Sequence, residues 1–274
     1  MQELLYSQGS KGVEFTIRSC PSSSRVSLVN RPEFKVKNKI ATITLRAEAR
    51  KNAVDRKDLD LIAKFLEKIK NEKLRCLILS GKGDTFSSGM YLQELNIGDW
   101  QENPISEVCD LIEKLPFISI CLLNGGIYGG SVELALSCDF RIGCSSVKLK
   151  IPATKFGIHY GVKGIRRCLE AFGLQLSRKI LFLGRSLDFK ELIDVGFLDY
   201  HAKDIDSTHI ILERIIDEIS ELSLDAIWQM KATLHDLRNN NINHSREKSR
   251  FSHSFKSGIV AKRLKFYRKS KKEE

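Results

Sequence analysis

Apolar positions recur with two different periods along the chain. Ile40–Leu45 (IATITL) is rich in β-branched residues that alternate along it, which predicts a strand. After Asp55, Leu59, Ile62, Ala63, Leu66 and Ile69 return every three or four residues, predicting a helix capped by that aspartate. Residues 74–80 (LRCLILS) and 117–123 (FISICLL) are unbroken apolar runs, the pattern of strands covered on both faces. Each runs into glycine: GKGDTFSSG follows the first, and NGGIYGGSVELALSCDF the second. A helix is predicted over 104–115 and another opening near Gly130, with short strands at 139–143 and 147–151. Helices then follow at 177–183, 188–195, 208–222 and 224–239, and NNNIN at 239–243 marks a loop or hinge. Strands separated by crossover helices, then a helical tail, predict an α/β layered core over 39–200 and a C-terminal helical region over 201–274. Residues 1–38 are rich in Ser, Lys and Arg, with short alternating segments at 13–17 and 25–29. An extension is expected there, partly disordered or a small hairpin.

Composition narrows the class without naming it. With 274 residues, 42% hydrophobic and 29% charged, the chain can bury a full core, and its apolar runs fall short of the roughly 18 residues of a membrane span. The start lacks a basic stretch leading into an apolar core, so no secretory signal is expected. The 7 cysteines are scattered with no C-x-x-C pair, which suits buried thiols in a reducing compartment such as the cytoplasm better than a disulfide framework or a zinc site. The net charge of +11 is uneven: residues 246–274 hold eleven Lys and Arg against three Glu, a net +8. An anionic partner fits that segment, and the last six residues, KSKKEE, read as a solvated terminus. No aromatic ladder interleaves the charges, so a nucleic-acid module is not expected.

The two glycine-ended strands carry the chemistry. Parallel strands place such ends at one sheet edge, where open α/β folds bind ligands. A helix starting at Gly130 aims free N–H groups and its positive dipole end at the same edge. One backbone donor from each loop can then converge on a developing oxyanion.

In order and spacing, these residues resemble the crotonase family, the enoyl-CoA hydratase and isomerase superfamily, from about Ile40 to Phe266. The family's F-x-x-G-x-D stands here as Phe86-Ser-Ser-Gly89-Met90-Tyr91, and its N-G-x-x-x-G-G-x-x-E-L-A-x-x-C-D as Asn124-Gly125 through Gly129-Gly130, Glu133 and Cys138-Asp139. R-x-x-x-R-K-N-A at 46–53 and LGRSLDFKELIDVGFLD at 183–199 extend the match. The resemblance implies a ClpP-like spiral of ββα units with a C-terminal helical trimerisation region, and assembly as homotrimers or dimers of trimers. It makes the backbone N–H groups of Met90 and Gly130 the oxyanion donors to a thioester carbonyl. Arg50, Ser88, Gly89, Tyr91 and Gly129 would line the acyl-CoA site, with Lys262 and Lys265 near the nucleotide phosphates; Arg166 and Arg167 would contact phosphate or coat a solvated face. No cofactor beyond the CoA or pantetheine of the substrate is implied, and no metal.

Family hydratases use two glutamates. Glu133 keeps the first, as a partly desolvated acid or base, but the second falls at Ala153 after Pro152. That loss favours decarboxylation or double-bond isomerisation over hydration. The segment PATKFGIHYG looks more like methylmalonyl-CoA decarboxylases of the superfamily, which place a tyrosine where Tyr160 stands, although those enzymes have His and Asp at the positions of Met90 and Tyr91. His159 reads as a loop histidine. Alternatives are a hydratase-like enzyme, acyl processing on an acyl carrier protein, and a non-catalytic homologue binding acyl-CoA or RNA.

Overall fold

The computed structural model describes residues 3–9, 12–18, 30–92, 103–256 and 258–270. An antiparallel hairpin, β1 (Glu3–Gly9) and β2 (Gly12–Arg18), leads through β3 (Glu33–Lys37) into β4 (Ile40–Leu45). From β4 the sheet continues in parallel through β5 (Cys76–Gly81), β7 (Ile118–Leu123), β9 (Phe140–Cys144) and β11 (Tyr200–Ala202). A second sheet is stacked from the short strands that follow three of these: β6 (Thr85–Ser87), β8 (Gly126–Tyr128) and β10 (Leu149–Lys150), in the order β10-β8-β6. The chain therefore advances from long strand to short strand to helix, which is the expected ββα progression.

The unbroken apolar runs have the reason anticipated for them. Successive side chains of a strand point to opposite faces, and both faces are covered. Leu77 and Leu79 of β5, with Cys121 and Leu123 of β7, enter the larger core with α1 (Arg56–Ile69), α2 (Pro104–Glu113) and α3 (Gly130–Ser137). Cys76 and Ile78, with Ile118, Ile120 and Leu122, form a second cluster under Leu212, Ile215 and Ile219 of α6 (Ile205–Ser220). The Asp55 cap closes as a capping box with Asp58.

The sheet begins earlier than expected. β3 lies ahead of residue 39, pairs with β4 along five residues, and sends Phe34 into the core against Phe65 at a ring separation of 4.8 Å. A hairpin is present, but its strands are 3–9 and 12–18, so the alternating segment 13–17 pairs with residues ahead of it; the other alternating segment, 25–29, lies outside the described residues.

The C-terminal part is helical: α4 (Val162–Leu183), broken at Gly173, α5 (Phe189–Asp194), α6, α7 (Leu224–Arg238), α8 (His244–Lys256) and α9 (Ile259–Ser270). Asn239–Asn243 forms the α7–α8 turn. Lys231 of α7 pins this region to the core by donating to Asp139 Oδ2 at 2.6 Å and to the Phe117 carbonyl at 2.9 Å. The six described cysteines are buried and unbridged, and burial pushes the thiols of Cys76 and Cys168 up to about 12, so they are packing groups. Among the described residues no helix is long and apolar enough to cross a membrane, and no metal-binding cluster occurs.

Candidate active site

The first loop is held from below by the segment 50–54. Ser88 N donates to Lys51 O, Ser88 Oγ to Arg50 O, and Val54 brackets Met90 by donating to Gly89 O and accepting from Tyr91 N. In that pairing the N–H of Met90 is turned away from Val54. Gly130 is the first residue of α3, so its N–H is one of the donors a helix cannot satisfy internally. The loops are laced together by Ser131, whose hydroxyl accepts from Tyr128 N and donates to Ser87 O, both at 2.8 Å. A methyl group at Gly89 would lie 2.9 Å from Gly130 N. The structure thus brings Ser88, Gly89, Met90, Gly129 and Gly130 to one place.

Glu133, one turn along α3 from Gly130, is 0% exposed. Its Oε1 accepts from Ser106 Oγ and from Arg167 Nη1, each at 2.6 Å, and its Oε2 lies 3.4 Å from Asn103 Nδ2. Burial raises its pKa, opposed by the Ser106 hydrogen bond and the Arg167 charge. The expected partly desolvated acid or base is thus a fully enclosed carboxylate with an ion-pair partner. Arg167, 4% exposed, neither coats a solvated face nor offers itself to phosphate. It also grips Glu113 through Nε and Nη2, at 2.7 and 2.9 Å, and Asp110 through Nη2 at 2.6 Å. Arg166 does occupy the outer face, on Glu170 and Asn239.

Tyr160 is half-buried, and its hydroxyl donates to the Gly129 carbonyl at 3.3 Å, beside the start of α3. Burial, then the nearby Glu133 charge, pushes its pKa well above the usual phenol value, so it stays a proton donor. His159 is exposed. Ala153 opens the 3-10 turn Ala153–Phe156 and packs on the core, leaving no second carboxylate at that position.

The expected ligand residues divide. Arg50 is engaged by Asp58 at 2.5 Å and Asp55 at 3.3 Å, shared with Arg31, and its guanidinium stacks on the Tyr91 ring at 4.9 Å. Tyr91 is thereby anchored on the side of the 46–53 loop. Lys262 and Lys265 lie exposed on α9, which packs on α8, and no hydrogen bond or ion pair joins either to the site among the described residues. Sequence reasoning missed Ser106 and Ser131, which carry no local signal, and misread Arg167. The spacing of Asp110 and Glu113 on one face of α2, with Gly164 one turn before Arg167, was the only trace of that buried cluster.

The enoyl-CoA hydratase/isomerase family model matches residues 35–271. An enoyl-CoA isomerase/hydratase of Mycosarcoma maydis is 32% identical over 57% of this chain and 62% of its own length, so the match spans less than two thirds of that relative. Methylmalonyl-CoA decarboxylase of Escherichia coli (strain K12) is 24% identical over 73% of this chain and 78% of its length. Mitochondrial methylglutaconyl-CoA hydratase of Mus musculus is 31% identical over 55% and 50%. Among solved structures, an enoyl-CoA hydratase/carnithine racemase from Magnetospirillum magneticum superposes with a TM-score of 0.79 at 21% identity, covering 87% of this chain and 92% of that one. With its paired glycine loops, its stacked sheets and a family match over most of its length, the chain belongs to the enoyl-CoA hydratase/isomerase family and has the crotonase fold.

Proposed function

We propose that the chain decarboxylates a 2-carboxyacyl-CoA through an enolate held by the N–H groups of Met90 and Gly130. The observation that carries this reading is the state of Glu133: enclosed, with Oε1 taken by Arg167 and Ser106, while Ala153 supplies no second carboxylate. Hydration needs a base for water and an acid for carbon. Isomerisation needs a free base that takes a proton from one carbon and returns it to another. Decarboxylation needs neither at the outset. The bond to the carboxylate breaks, carbon dioxide leaves, and the electron pair passes into the thioester carbonyl as an enolate. A proton from water then closes the α-carbon. The protein's contribution is the oxyanion hole, in which one donor is worth about 2.7–4 kcal/mol, and the Tyr160 hydroxyl, a protonated donor beside Gly129. The match to the bacterial methylmalonyl-CoA decarboxylase, longer than that to the fungal relative, supports the same reading.

Incubation in heavy water with malonyl-, methylmalonyl-, crotonyl- and 3-enoyl-CoA, followed by mass spectrometry, tests it. The expected outcome is loss of carbon dioxide from a 2-carboxyacyl thioester with one deuterium at the α-carbon, and no added water on crotonyl-CoA. Hydration or a shifted double bond without decarboxylation would overturn it. Association of copies belongs to the same proposal, supported by the exposed Met230, Leu234 and Leu237 at helical spacing on α7.

A further inference from the structure

The two oxygens of Glu133 are treated differently. Oε1 receives both strong donors, Arg167 and Ser106, whereas among the described residues Oε2 has only the 3.4 Å approach of Asn103. A methyl group at Gly164 would come within 2.7 Å of Oε2 and 2.6 Å of the Tyr160 ring, so the bare glycine leaves Oε2 beside Tyr160. Arg167 is itself anchored from α2 by Asp110 and Glu113, and these carboxylates are backed by Lys163 and Arg238. The guanidinium is thus fixed in a planar fork whose one remaining arm reaches Glu133.

We infer that Arg167, with Ser106, sets the course of the reaction by drawing Glu133 into the α2–α4 seam and withholding it from substrate as a carbon base. Glu133 sits at i+3 from the oxyanion donor Gly130, on the same helix face, so a released carboxylate lies next to the bound thioester. There it would take an α-proton from an acyl-CoA, the carbonyl becoming an enolate at Met90 and Gly130, and return a proton from the exchanged carboxyl group. Withheld, it leaves the enolate site to substrates that generate their own electron pair by losing carbon dioxide. The inference rests on the proposed decarboxylation, and Arg167 acts here as a positioning residue through Glu133.

The probe is propionyl-CoA in heavy water, which has no carboxylate to lose. Exchange of its α-hydrogens is followed by mass spectrometry, with binding measured by calorimetry for each protein. Wild type is expected to bind it and exchange at the rate of buffer alone. Arg167→Lys combined with Ser106→Ala keeps the buried positive charge but removes the forked donor and the hydroxyl, and exchange is expected to rise about tenfold or more. Adding Glu133→Gln should return it to background, a result that general damage to the fold would not produce. Ser106→Ala alone leaves every ion pair in place and is expected to show a smaller rise, which covers the case in which the double variant does not fold. Glu133-dependent exchange already present in wild type would overturn the inference. So would background exchange in folded variants, a rise that survives Glu133→Gln, or failure to bind propionyl-CoA. Failure of methylmalonyl- and malonyl-CoA to lose carbon dioxide, with the exchange results as expected, would remove the decarboxylation reading and leave the clamp standing.

Discussion

On the proposed function, Gly89→Ala is expected to lower kcat by about 10²–10³-fold, the loss associated with misplacing one donor of the proposed oxyanion hole. Gly89 has φ of +86°, a conformation that costs an alanine of order 1–2 kcal/mol. The larger effect is steric. The added methyl would stand 2.6 Å from Tyr128 O and 2.9 Å from Gly130 N, and both of these atoms are backbone. No side chain can swing aside. The loop carrying Met90 must move away from the loop carrying Gly130, and the two N–H groups then no longer meet on one oxygen. Ser131, bridging Ser87 O and Tyr128 N, keeps each loop folded, so the thermal midpoint should fall by only a few degrees. Single-turnover rates and a melting curve check this together. A rate within threefold of wild type in the folded variant would mean that these two donors do not act as a pair.

Much of the fold is legible in the sequence because the long strands are covered on both faces. Leu77–Leu79 and Ile120–Leu123 stay apolar at every position, and alternate residues go to different clusters. The short strands β6 and β8 leave no such trace: three residues carry no period, and each exists only because its neighbours pair with it, whereas β10 falls within the strand expected at 147–151. β3 is hard to read because EFKVK offers just two apolar residues, Phe34 and Val36, although Phe34 is buried and Val36 packs against the core. The glycine loops of the candidate site are legible for a related reason. Glycine at Gly89 and Gly129, each with positive φ, is a local requirement of the turns that carry the candidate donors.

The charged half of the site was not readable. Arg166 and Arg167 are adjacent in a basic stretch, and only the helical phase against α2 decides that one meets solvent and the other three carboxylates. Nor does Glu133 announce that its partner lies 34 residues downstream, because the ion pair is a property of how α2, α3 and α4 pack.

That packing makes Arg167→Met the substitution with the largest expected effect on stability. Removing one member of a buried ionic cluster strands the others, at a typical cost of about 3–5 kcal/mol. For a chain of this size that corresponds to a fall of roughly 6–20 °C in the melting midpoint. Glu133 suffers most, since Glu113 keeps Arg238 at 2.6 Å and Asp110 keeps Lys163 at 2.5 Å. Glu133→Gln in the Arg167→Met background should therefore restore part of the loss, a coupling that independent sites would not show. The pH dependence has a definite sign. In wild type, burial would raise the pKa of Glu113, but Arg167 and Arg238 hold it below the ordinary carboxylate range. Its stabilising contribution is thus present above the unfolded value and is lost as pH falls through the folded one. Glu133, already raised by burial, rises further once Arg167 is gone. Its folded state then favours the proton, so that contribution is present below the unfolded value of about 4.3 and is lost as pH rises. Both effects act in one direction, and the gap between wild type and Arg167→Met should narrow as pH is lowered from 8 towards 4. Melting curves across that range decide the matter: a gap that is constant or widens in acid would mean that the guanidinium contributes through packing and not through its charge on these carboxylates.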